Sequence, residues 1–352
     1  MYDSARTAHL ERMRYSDAQT LIFRKKNYDF DIHSAPAGVE IMQMNRIQTL
    51  WFLLTRRPQI IEINEPTAIH AWPTTVPIAA IARVARAMRS SRFHLVTYAI
   101  DNSDVAHILS TRLRLAPWLG DWITRNVTRF IYFALSRCVF GTSGATANYE
   151  TILRKTSSLI ATREIPALPS PCSCAHASAP DIDIVFLGAF DNRKGVTQLM
   201  KAWDSTPELQ TKQLQILGKG NLAAAVASWC EGRKGVGLHI DPSRAQIHQT
   251  LARAKVLVLI SQRNPFWREQ VGLPILEGLS HGCTIVTTTE TGLGDWLTKT
   301  GHIVVDPDAI PEQVGLALLH ALKSPLQKNE VKRTLPAVDG RVAADLWLFA
   351  DE

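Results

Sequence analysis

The chain has 352 residues, 46% of them hydrophobic and 20% charged, which excludes a disordered tail, a collagen-like fibre and a coiled coil. At about 100–200 residues per domain, that length fits two domains rather than one. The net charge of +7 points to an acidic partner, but residues 1–165 hold 21 basic and 13 acidic side chains whereas residues 166–352 hold 18 and 19. The positive excess therefore belongs to the first half. Glycine divides the chain the same way: only Gly38, Gly120, Gly141 and Gly144 lie in the first 165 residues, against 15 of the 19 in the rest.

The first 20 residues contain no apolar stretch of the kind a signal peptide needs. Nor does any apolar run reach the roughly 18–20 residues of a spanning helix, so the expected location is the cytoplasm. Residues 3–15 read as a helix, which leaves the first half without the opening strand of a Rossmann-like domain. Either the reading frame starts too far downstream or the domain has diverged. Strands are expected at Thr20–Lys25, Gln59–Asn64, Phe93–Ile100 and Arg137–Thr142.

Residues 166–180 are rich in proline and small side chains and read as a linker between an N-terminal domain (1–165) and a second domain (181–325). The second domain alternates strands at Ile182–Phe190, Leu214–Gly218, Val236–Ile240, Lys255–Ser261, Cys283–Thr288 and His302–Asp306 with stretches of helical spacing. Strand-helix alternation of this kind predicts a parallel sheet covered on both faces, a doubly wound Rossmann-like domain. A last helix, about 338–351, is expected to bring the segment 326–352 back onto the first domain. Five cysteines, an odd number scattered in a large chain, argue against a disulfide framework. Cys172-Ser-Cys174 lacks the second ligand pair of a zinc site in sequence.

The segment Trp267–Cys283, WREQVGLPILEGLSHGC, carries the chemistry. Pro274 suits the first turn of a helix, which places Glu277 one turn in and Glu269 in the loop before it. The amides around Val271, Gly272 and Leu273 then form an anion site at a helix N-terminus. Two carboxylates beside it suit sugar or ribose hydroxyls, because carboxylates are strong acceptors. A glycine turn, Thr291-Gly292-Leu293-Gly294, follows downstream.

Glu269 and Glu277 with the intervening VGLPIL, the block FLGAFDNRKGVTQLMKAW, the LGKG turn and the KVLVLIS strand resemble, in order and spacing, the group 1 (family 4) retaining glycosyltransferases. That resemblance spans roughly residues 180–325 and is weaker before them, where it rests on QIIEINEP, VTYAIDN and FGTSGATANYE. It implies the GT-B fold, an α/β architecture of two Rossmann-like domains. By the same resemblance Glu277 contacts the nucleotide ribose, Glu269 the transferred sugar, and Lys194 the donor diphosphate. Gly188 closes the first donor-domain strand, and the arginine usual after it is replaced by Ala189; Arg193 is the expected substitute. Gly218 and Lys219 fall in the turn beside the nucleotide base. The histidine common at the end of the VTYAIDN strand is replaced by Ala99 and Ile100, leaving Asp101 and Asn102 as the nearest polar groups, for the acceptor side or for an ordinary turn.

Arg112, Arg114, Arg125, Arg129 and Arg137 alternate with Trp118, Trp122, Phe130 and Phe133 between 112 and 137. This stretch reads either as a face lying on an anionic membrane surface or as a core helix with solvated arginines. No recognition motif for nucleic acid accompanies the charge.

The expected activity is retaining transfer of a sugar from a nucleoside diphosphate sugar to a hydroxyl of a glycan or lipid-linked acceptor. No metal or other cofactor is expected, since Lys194 and helix-end amides can stabilise the charge of the leaving diphosphate. The alternatives are a catalytically silent nucleotide-sugar binder, suggested by Ala189 and the absent histidine, and a sugar-nucleotide epimerase of the same fold.

Overall fold

The computed structural model describes residues 1–15, 19–27, 30–56, 58–87, 94–154, 160–173 and 180–350. They form two compact units, Met1–Pro166 with Gly340–Glu352, and Ala167–Asp339. The segment from Ala167 onward thus belongs to the second unit rather than to a separate linker; residues 174–179 of the expected linker lie outside the described residues. Residues 326–339 also stay with the second unit, and only the chain from Gly340 joins the first.

In the second unit β8 (Ile182–Leu187), β9 (Leu214–Gly218), β10 (Val236–Ile240), β11 (Ala254–Leu259), β12 (Thr284–Thr288) and β13 (Ile303–Val305) pair in parallel in the order β10-β9-β8-β11-β12-β13. The runs of β8, β11 and β12 are apolar on both faces because helices cover both sides of the sheet; Val185, Phe186, Leu257, Val258, Ile285 and Val286 are fully buried. In this order the chain reverses direction across the sheet between β8 and β11. That junction is the topological switch point, where sheets of this kind open a crevice at their carboxyl ends.

In the first unit β1 (Tyr2–Ala5), β2 (Thr20–Lys26) and β3 (Glu40–Gln43) form one parallel sheet, and β4 (Ile60–Glu62), β5 (His94–Ala99), β6 (Arg137–Phe140) and β7 (Ala161–Glu164) another. Two bonds tie β1 to β4: the Met1 amino group donates to the Glu62 carbonyl at 2.7 Å, and the Asp3 amide to Asn64 Oδ1 at 2.9 Å. The opening strand expected to be missing is therefore present. It occupies only four residues, and the helix read over 3–15 is confined to Thr7–Arg12 with a single tight turn after it. Core side chains of this unit include Ile63, Ile78, Leu95, Ile131, Leu135 and Tyr149.

The helix Gly340–Leu348 is fastened to the first unit through charge. Arg12 reaches Glu62 Oε2 at 2.6 Å and Asp345 Oδ2 at 3.0 Å, while Arg341 bonds Glu62 Oε1 and lies 3.1 Å from Asp345 Oδ1. Glu62 and Asp345 are 6% and 1% exposed. Burial works against the Glu62 charge, but the two guanidinium groups outweigh it and hold the carboxyl well below its ordinary range.

Candidate functional site

At the carboxyl end of β8 the chain makes a short turn, Asn192–Lys194, capped by the Asp191 carboxylate, which accepts the Lys194 amide at 3.2 Å. Gly195 follows at φ +77°, and a Cβ there would lie 2.0 Å from the Ile260 carbonyl oxygen. Only glycine lets this loop cross the end of the β11 chain so closely. The Gln262 amide then donates to the Arg193 carbonyl at 2.8 Å. The crossing brings the Lys194 ammonium onto the Glu269 carboxylate, and Ser261 Oγ donates to the same Glu269 oxygen at 3.0 Å. Glu269 is 7% exposed.

Trp267 backs this pair. The Lys194 ammonium and the Arg193 guanidinium each lie 4.8 Å from its ring centre, a cation–π geometry that holds two positive charges over one aromatic ring. Arg193 is also held by Asp191 at 2.7 Å. The Glu269 loop is fixed from behind by the downstream glycine turn: the Gly292 amide donates to the Glu269 and Gln270 carbonyls, and Thr291 Oγ1 to the Val271 carbonyl at 3.0 Å.

Gly272, at φ +83°, caps the helix Leu273–Ser280, with Pro274 in its first turn. Val271 is buried and Leu273 exposed. Glu277 stands one turn into this helix and accepts from Arg244 Nη1 at 2.9 Å. At the end of β9, Gly218 is required by space, since a Cβ there would fall 1.8 Å from the Gly188 carbonyl oxygen. The glycine turns after β8 and β9 thus pack on each other. Lys219 extends to solvent and pairs with Asp241 at 2.8 Å.

The structure therefore joins Lys194, Glu269 and Arg193 around one aromatic ring. Glu277 is engaged by Arg244, and Gly218 and Lys219 belong to the neighbouring strand end. Trp267, Ser261, Asp191 and Arg244 escaped the sequence reading. Trp267 stood two residues before Glu269 and carried a signal that could have been used; Ser261 and Arg244 depend on strand adjacency and carried none. The sequence holds three Asp-x-Asp triplets, at 29–31, 181–183 and 306–308: Asp181 and Asp183 pair with Arg253 and Lys255 at the amino end of β8, and Asp308 pairs with Arg263 at 3.0 Å. The remaining triplet includes Asp29, which lies outside the described residues.

In the first unit Asp101 and Asn102 are buried at the end of β5. Asp101 Oδ1 accepts the Ser103 amide at 3.0 Å, closing a turn. The amides of Ile100 and Asp101 converge on Glu65 Oε2 at 3.2 and 3.1 Å. Burial, then the neighbouring Asp101 charge, raise the Glu65 carboxyl well above its ordinary range. In the helix Pro117–Tyr132, Trp118 and Trp122 are 72% and 61% exposed, whereas Phe130 and, just past the helix end, Phe133 pack against the core. No helix among the described residues is long and apolar enough to cross a membrane.

Two Rossmann-like domains in one chain define the GT-B class of fold. Residues 181–324 match the family model described as Glycosyl transferases group 1, so the chain carries a group 1 glycosyltransferase domain within that fold. No curated protein matches it by sequence. Among solved structures it is similar to WaaG, a glycosyltransferase involved in lipopolysaccharide biosynthesis (TM-score 0.65, 13% identity, 99% of this chain and 100% of that one). It is also similar to HepE (Alr3699) of Anabaena in complex with UDP (TM-score 0.64, 13% identity, 99% and 94%). A further match is the lipopolysaccharide outer core galactosyltransferase WaaB (TM-score 0.60, 14% identity, 98% and 97%).

Proposed function

We propose that this protein moves a sugar from a nucleoside diphosphate sugar to a hydroxyl of a glycan or lipid-linked acceptor, with retention of anomeric configuration. The observation that carries this reading is the Lys194–Glu269 pair at the switch point of the second sheet, with Glu269 three residues before the glycine that caps the next helix. The HepE complexes with UDP and with UDP-glucose support a nucleoside diphosphate donor.

In this reading the diphosphate lies against Lys194 and the first amides of the helix Leu273–Ser280, with Arg193 as a second cation. As the bond from the anomeric carbon to the diphosphate breaks, negative charge grows on the leaving oxygen, and these fixed positive groups lower the barrier. The acceptor hydroxyl attacks from the same face, and its proton passes to the departing phosphate. No nucleophilic side chain and no metal are then needed. Glu269 accepts from hydroxyls of the transferred sugar and Glu277 from the ribose. Lys219 and the Gly188 and Gly218 turns border the base.

The exposed Trp118 and Trp122, among the arginines between 112 and 137, support peripheral binding to an anionic membrane at the cytoplasmic face, with a lipid-linked acceptor in reach.

The test is release of nucleoside diphosphate from a panel of donor sugars, followed by proton NMR of the product's anomeric coupling. Glu269→Ala is expected to lose at least about 100-fold in turnover. Donor binding with background turnover in both wild type and variant would establish a silent binder instead. Isomerised sugar formed without any acceptor would establish an epimerase.

A further inference from the structure

At the carboxyl end of the helix Leu273–Ser280, the second unit gathers three metal-ligating side chains from separate parts of the chain. Cys172 lies in the extended segment ahead of β8, His248 on the helix Arg244–Arg253, and His281 just past the helix Leu273–Ser280. The Cys172 amide donates to the Ser280 carbonyl at 2.8 Å, and Lys332 Nζ to the Cys172 carbonyl at 3.3 Å, so backbone contacts hold the segment in place. His248 Nδ1 lies 3.1 Å from His281 Nε2, and Cys172 Sγ lies 3.9 Å from His248 Nδ1. All three ligand atoms fall within 4.8 Å of one another.

Tetrahedral zinc, with bonds of about 2.0–2.1 Å to nitrogen and 2.3 Å to sulfur, sets its donor atoms roughly 3.3–3.6 Å apart. The cluster is within a few tenths of an ångström of that figure on two of its edges. His281 is already oriented as a ligand. Its Nδ1 lies 2.7 Å from the Glu277 carbonyl oxygen; because a carbonyl can only accept, the proton sits on Nδ1 and Nε2 presents its lone pair to His248. A backbone carbonyl fixing the far nitrogen of a ligating imidazole is the usual outer support of such sites.

We propose that Cys172, His248 and His281 form a binding site for a divalent cation of the zinc class, which clamps the chain entering the second unit onto two of its helices. The site lies at the opposite end of an eight-residue helix, roughly 12 Å long, from the glycine cap at Gly272, and its three protein ligands leave a fourth position for water. Cys172 is disulfide-bonded in this structure, and a disulfide sulfur is a poor ligand, so metal and disulfide exclude each other. A trialkylphosphine converts one state to the other: it takes the oxygen of one water to become the phosphine oxide, and the two sulfurs take the hydrogens as thiols. Binding then releases the Cys172 thiol proton, while the His248 proton moves from Nδ1 to Nε2 and stays on the ring. The ammonium groups of Lys328 and Lys332 nearby favour the thiolate but weigh against the cation.

The experiment titrates cobalt(II) and then zinc into the full chain, after phosphine reduction and without it. The reduced protein is expected to bind one equivalent with tetrahedral ligand-field bands and a thiolate-to-cobalt charge-transfer band, both bleached by zinc. Cys172→Ser should lose the charge-transfer band, and His248→Ala should lose the tetrahedral bands. Circular dichroism confirms that each variant is folded, and zinc should raise Tm in the reduced wild type but not in Cys172→Ser. Absence of cobalt binding by the reduced protein, or a spectrum unchanged by Cys172→Ser, would overturn the proposal.

Discussion

Lys194 and Glu269 are 75 residues apart in sequence yet share a hydrogen bond, because β8 and β11, which lead into their loops, are neighbours in the sheet. Both side chains are largely buried, 16% and 9% exposed. Removing one partner of such a pair leaves a desolvated charge, at a cost of about 3–5 kcal/mol. Lys194→Met is therefore expected to lower both turnover, by at least about 100-fold, and Tm. The double substitution Lys194→Met with Glu269→Gln should recover part of the stability while activity stays lost. Steady-state donor turnover and thermal melts of the three variants check this; strict additivity of the two stability changes would contradict it.

Gly195→Ala tests the loop crossing. The substitution forces a Cβ against the Ile260 carbonyl in a left-handed backbone region, which costs more than about 2 kcal/mol. Because the crossing positions Lys194, the KM for donor should rise along with the loss of stability. A variant with wild-type Tm and KM would show that the loop is not held as described.

The second sheet was legible because its inner strands are largely buried and read as continuous apolar runs such as Lys255–Ser261. In the first unit, β1, β3 and β7 were not. Tyr2–Ala5 alternates only over four residues and runs straight into helix-forming sequence, and the four residues of Ala161–Glu164 are all exposed. A short strand at the end of a sheet, held by backbone pairing with its neighbour rather than by an apolar pattern of its own, leaves little trace in sequence. The candidate site divides in the same way. Glu269, Glu277 and Gly272 sit in one continuous segment and were found together, whereas the Ser261 and Arg244 contacts arise only once the strands are ordered. Cys172, His248 and His281 escaped for the same reason, since no local spacing links them.

Arg341 anchors the C-terminal helix to Glu62 and Asp345 in a buried network. Arg341→Met should destabilise the first unit by about 3–5 kcal/mol, read as a lower denaturation midpoint. Glu62 adds a pH dependence: its folded pKa is depressed, so its stabilisation is present above about pH 4.5 and is lost as pH falls below that value. In Arg341→Met that acid loss should be shallower, because one of the cations depressing the Glu62 pKa is gone, leaving Arg12 and the Met1 ammonium.

The exposed Trp118 and Trp122 lie four residues apart on one helix face. Trp118→Ser with Trp122→Ser should reduce cosedimentation with phosphatidylglycerol vesicles at least about tenfold and leave binding of a soluble donor unchanged. Equal cosedimentation of variant and wild type would remove the membrane reading. Insensitivity of binding to added salt would remove the arginines' part in it.

His302 makes the second unit acid-sensitive at a milder pH. It is 5% exposed, and its Nδ1 accepts the Ile285 amide at 3.1 Å, an interaction only a neutral ring with its proton on Nε2 provides. Burial lowers its pKa from 6.5 to about 4. Between those values the unfolded chain holds the extra proton and the folded chain does not, so stability rises with pH through this window. The contribution is complete above about pH 6.5 and is lost as pH falls to 4, a total of about 3 kcal/mol. His302→Gln keeps an acceptor for the Ile285 amide but cannot titrate. Urea denaturation at a series of pH values should therefore show a flatter slope between pH 6.5 and 4 in this variant, and parallel slopes would mean that His302 is not held neutral by the fold.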